Sequence, residues 1–65
     1  MTDDYKVLAL KAMNACLDAA RFAQKKSMTW NMGTMIGAAI AIWETVEKTG
    51  PNPEDTLKQW QEKNR

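Results

Sequence analysis

At 65 residues and a formal net charge of +1, the chain has room for one small domain and carries no general field that would draw in nucleic acid or an anionic membrane. A single cysteine, Cys16, and the absence of histidine exclude an internal disulfide and remove the usual ligands of a zinc site. Small folds without either staple commonly gain stability from a partner subunit, and the 45% apolar content points the same way.

The opening MTDDYK places acids where a secretory signal would place bases, and no small-residue cleavage pattern follows an apolar run. With a lone thiol, this makes the cytoplasm the expected location. Thr2 reads as a helix N-cap, with Asp3 and Asp4 in the first turn, where the helix dipole favours acids. From Tyr5 to Lys26 there is no Gly or Pro, Ala occurs six times, and Lys25 and Lys26 are cations suited to a last turn. A first helix is therefore predicted at about residues 3–26.

Ser27-Met28-Thr29-Trp30-Asn31 combines weak helix formers with three candidate N-caps and predicts a turn. The alternative, one uninterrupted helix, would leave its apolar faces without a partner in the same chain. A second helix is predicted at about residues 31–48, closed by Gly50 in a left-handed conformation and by Pro51. Asn52 as N-cap, Pro53 at the first helical position, and Glu54 and Asp55 in the first turn then predict a short third helix at about residues 53–62. Its apolar side is only Leu57 and Trp60, so it must dock on the other two.

At about 100° per residue, Lys11, Asn14, Asp18, Arg21 and Lys25 form the solvated stripe of the first helix. Nearly everything else from Val7 to Ala23 is apolar. Leu10, Met13 and Leu17 lie on one flank and Leu8 and Phe22 on the other, with Ala9, Ala12, Cys16, Ala20 and Ala23 between them. That is more apolar circumference than one neighbour covers, and it predicts two contact surfaces, one within the chain and one between chains. In the second helix Met32, Met35, Ile36, Ile40, Ile42, Trp43 and Val46 share a broad core-facing arc. Gly33, Gly37 and Ala41 run along its border and continue into Glu44 and Lys48, an i,i+4 acid–base pair.

The stretch MIGAAIAIW, inside a segment from Ser27 to Trp43 without charge, admits three readings. A membrane span needs about 20 mainly apolar residues, and this run falls short of that. The small residues Gly33, Gly37 and Ala41 instead suit the close approach of a neighbouring helix, or a groove where a ligand or partner backbone meets the helix unobstructed.

Catalysis has little to work with: there is no Ser/His/Asp or Cys/His set, no phosphate-cradling loop and no metal-ligand cluster. The pairs Asp3/Asp4 and Glu54/Asp55 are accounted for by capping, and Cys16 among alanines reads as a small hydrophobe. No catalytic residue, metal or cofactor is expected. Lys6, Lys11, Arg21 and Lys25 make a basic strip interrupted by Asp18, too few cations for a nucleic-acid footprint. Trp30, in the turn, is either a lid on the hairpin or the tryptophan freest to act outside the fold.

The expected architecture is all-α: an antiparallel helical hairpin plus a short C-terminal helix, one domain over residues 1–65. It is expected to assemble as a homo-oligomer, dimer or higher, through Leu8, Ala12, Ala19, Phe22, Gly33, Gly37 and Ala41. The expected function is a non-enzymatic interaction protein that binds another protein, an adaptor, regulator or inhibitor of the kind phages and mobile elements carry. A second reading holds a small anionic or nucleotide-like ligand between subunits with Trp30, Arg21, Lys25 and Asn31. A third is a small membrane-associated protein.

Overall fold

The computed structural model describes residues 3–64, and these form α1 (Asp3–Lys25), α2 (Thr29–Thr45) and α3 (Pro53–Lys63), with no strand among them. The expected cap at Thr2 lies outside the described residues.

The break between α1 and α2 is a left-handed closure at Ser27, whose φ is 58°. The Met28 N–H donates to the Ala23 carbonyl at 2.8 Å and the Ser27 N–H to the Gln24 carbonyl at 3.0 Å, the two crossed bonds of a Schellman motif. This closure makes two helices of what could have been one. It also corrects the start of α2, expected at residue 31 and found at Thr29. Ser27 is committed to ending α1, so the cap position falls on Met28, whose side chain accepts no bond, and Thr29 and Asn31 lie inside the helix.

The end of α2 is corrected in the same way. The helix stops at Thr45 rather than about Lys48 because a second closure forms, Lys48 N–H to the Trp43 carbonyl at 2.9 Å and Glu47 N–H to the Glu44 carbonyl at 3.2 Å. Glu47 and Lys48 both have φ of 57°, so the left-handed break expected at Gly50 comes three residues earlier. Gly50, at φ 83°, shapes the following turn, and its carbonyl accepts from the Trp43 indole at 3.3 Å. Lys48 is thereby off the helix. It forms no i,i+4 pair with Glu44, and its ammonium lies 5.8 Å from the centre of the Trp43 ring. The start of α3 is as the sequence predicts: the Asn52 carboxamide accepts from the Glu54 N–H at 2.8 Å, with Pro53 at the first turn.

α1 and α2 run antiparallel, joined at one end by the Ser27 turn and tied at the other by the Tyr5 hydroxyl, which donates to the Thr45 hydroxyl at 3.2 Å. Met13, Leu17 and Ala20 of α1, Ala39 of α2 and Leu57 of α3 make the buried core. Leu10, Cys16, Met32, Met35, Ile36, Ile42, Trp43 and Trp60 pack around it. The arc predicted for the second helix faces this core, but at its centre stands Ala39, wholly buried, as Ala20 is in α1. Large residues such as Met13 and Leu17 share this core with the small Ala20 and Ala39, which is how close-packed interiors fill space.

Two predictions follow from these contacts. Ser27→Gly removes the steric cost of a left-handed L residue, about 1–2 kcal/mol less the backbone entropy glycine loses, and should raise the midpoint of thermal unfolding by several degrees. Leu57→Ala, at a site 2% exposed, should lower stability by about 2–5 kcal/mol in urea titration. An unchanged midpoint there would mean that α3 does not dock.

Candidate functional site

α3 covers one side of the hairpin. It reaches α1 through the Gln61 carboxamide, which donates to that of Gln24 at 2.7 Å, and through Trp60 beneath Arg21 and Lys25. At about 100° per residue Gln24 and Arg21 lie roughly opposite Leu8, Ala12 and Ala19 on α1, and Lys25 lies between the two sides. The Cα framework measures 37 × 20 × 14 Å, little more than one helix thick in its short direction, so a side that α3 does not reach has no other cover among the described residues.

All seven residues that the sequence assigns to an intermolecular surface are on the exposed shell. Leu8 is 65% exposed and Phe22 60%, high values for side chains of their size. Ala12 and Ala19 are exposed between them on α1, and Gly33, Gly37 and Ala41 are exposed on α2. Leu8, Ala12 and Ala41 come together with Tyr5, Ala9, Ile42 and Thr45 in an open groove of about 490 Å³. The groove is apolar apart from two hydroxyls: that of Thr45 accepts from Tyr5 and donates to the Ile42 carbonyl at 2.6 Å.

Among the described residues nothing packs against the glycines of α2. A Cβ placed on Gly33 or Gly37 would meet no atom within 4 Å. No helix of the same chain approaches them, although glycine inside a helix costs about 1 kcal/mol relative to alanine.

The second set of candidate residues separates into two places. Arg21 and Lys25 stand over Trp60, each cationic centre 5.9 Å from the ring centroid. Arg21 also donates through Nη1 to the Asp18 carboxylate at 2.9 Å, while its Nε is buried without a partner. Trp30 and Asn31 lie in the first turn of α2, exposed, and Trp30, at 78%, closes no end of the hairpin. The Trp30 carbonyl accepts from the Thr34 hydroxyl at 3.0 Å. The aromatic ring beside the cations is thus Trp60 rather than Trp30. Helical spacing could not reveal this, because only the docking of α3 brings residues so distant in sequence together.

Among the described residues no three His, Cys, Asp or Glu side chains gather as a metal site, and no helix is long and apolar enough to cross a membrane. Compared with protein-family models, curated proteins and solved structures, the chain matches none of them.

Proposed function

We propose that this protein is a small, non-enzymatic, homo-oligomeric interaction protein, which associates with itself and acts by binding another protein. The supporting observation is the uncovered apolar side of the hairpin, where Leu8, Phe22 and the groove between Tyr5 and Thr45 lie outside the core. Contiguous apolar surface on a chain this small is unfavourable in water and is characteristic of contact sites. Gly33 and Gly37, open to an approaching backbone, extend that surface along α2. Light scattering at micromolar concentration should give a mass that is a multiple of 7.4 kDa. A single-chain mass combined with a cooperative thermal transition overturns the oligomeric half of the proposal.

The cluster of Arg21, Lys25 and Trp60 supports a second reading, a binder of small anionic, nucleotide-like ligands. Two cations beside one indole supply charge and several N–H donors for a phosphate-like group. A saturating ligand raises the unfolding midpoint by mass action. Screening of nucleotides and cyclic nucleotides should therefore find a rise that Arg21→Ala abolishes, and no rise with any of them rejects this reading.

A further inference from the structure

The back of α1, turned away from the core, repeats every seven residues. Asp4, Lys11, Asp18 and Lys25 are seven apart and alternate in sign, and beside them run Leu8, Ala15 and Phe22, also seven apart. At about 100° per residue both rows fall within one arc roughly 100° wide on the far side of the helix from Met13 and Leu17. All seven residues are exposed.

A row of alternating charge distinguishes the two ways in which a helix can lie against a copy of itself. Laid parallel, it sets like charge against like at all four positions, which is unfavourable. Laid antiparallel about a two-fold axis near Ala15, it sets Asp4 against the partner's Lys25 and Lys11 against the partner's Asp18. The same axis sets Leu8 against the partner's Phe22 and Ala15 against its own copy, where the small side chain lets the two helices approach closely. Asp18 already holds Arg21 and Lys25 already lies over Trp60, but a carboxylate accepts several donors and an ammonium donates three.

The apolar row leads to the groove. Under that axis the partner's Phe22 arrives beside Leu8, on the rim of the open groove lined by Tyr5, Ala12 and Ala41. Phe22 is 60% exposed in its own chain. We propose that two copies of the chain pair antiparallel through the backs of their α1 helices, each seating its Phe22 in the other's groove. This rests on the self-association proposed above and adds its face, direction and axis.

Cysteine cross-linking tests it in a Cys16→Ala background. Ala15→Cys lies near the axis and should oxidise to a covalent dimer. Lys11→Cys should not link to itself, because an antiparallel pair separates the two copies by about 12 Å along the helix, too far for a disulfide. Lys11→Asp should weaken association a few-fold, and Lys11→Asp combined with Asp18→Lys should restore it. An oligomer in which Lys11→Cys links to itself, or in which Ala15→Cys does not, overturns this geometry and leaves self-association standing. A single-chain mass for the unmodified protein overturns both.

Discussion

One seam holds the molecule together: the line along which Met13, Leu17 and Ala20 of α1 meet the Ala39 face of α2. Two wholly buried alanines, Ala20 and Ala39, let the helices approach closely, and Met13, Leu17 and Met32 pack in the same cluster. Everything else attaches to this seam. Leu57 and Trp60 have a place to dock only because the seam presents one continuous side, and the closure at Ser27 places α2 alongside α1 instead of letting it run on. No buried polar or charged side chain occurs among the described residues, so the seam is held by apolar packing.

A hairpin has two sides, and a third helix of 11 residues covers one. The cost of that economy falls on the other side, where Leu8, Phe22 and the groove above Ala12 and Ala41 stay in contact with water. The proposed solution is a second copy, and the charge row on α1 suggests how a second copy would be oriented. Repulsion in the parallel arrangement does more to fix the direction than attraction does in the antiparallel one, since exposed ion pairs contribute little individually.

The cation–aromatic cluster is a different kind of feature. Arg21 and Lys25 belong to the stripe of α1 that a sequence reading assigns to solvent, yet α3 brings an indole beneath them. Part of what they do is structural, because their stems and charges cover the ring face of the one tryptophan that anchors α3. The remaining donor capacity of the Arg21 guanidinium and the Lys25 ammonium is what makes the cluster a candidate for an anion.

Sequence alone determined the helical class, the start of α3 and the division of α1 into an inner flank of Leu10, Met13 and Leu17 and an outer one of Leu8 and Phe22. Each of these rests on local chemistry: caps and proline act within one turn, and apolar spacing is fixed by the period of the helix. The tertiary structure decided what depends on position in space. Serine and glutamate, rather than glycine, take the left-handed closures at residues 27 and 47, because the turns must return the chain to its own core, and no local preference announces that. Ala39 became the centre of α2's buried face because α1 approaches there, and Trp60 became the neighbour of Arg21 because α3 docks across residues distant in sequence. The openness of Gly33 and Gly37 was decided in the same way, since spacing shows that a backbone can come close but only packing shows that none in this chain does.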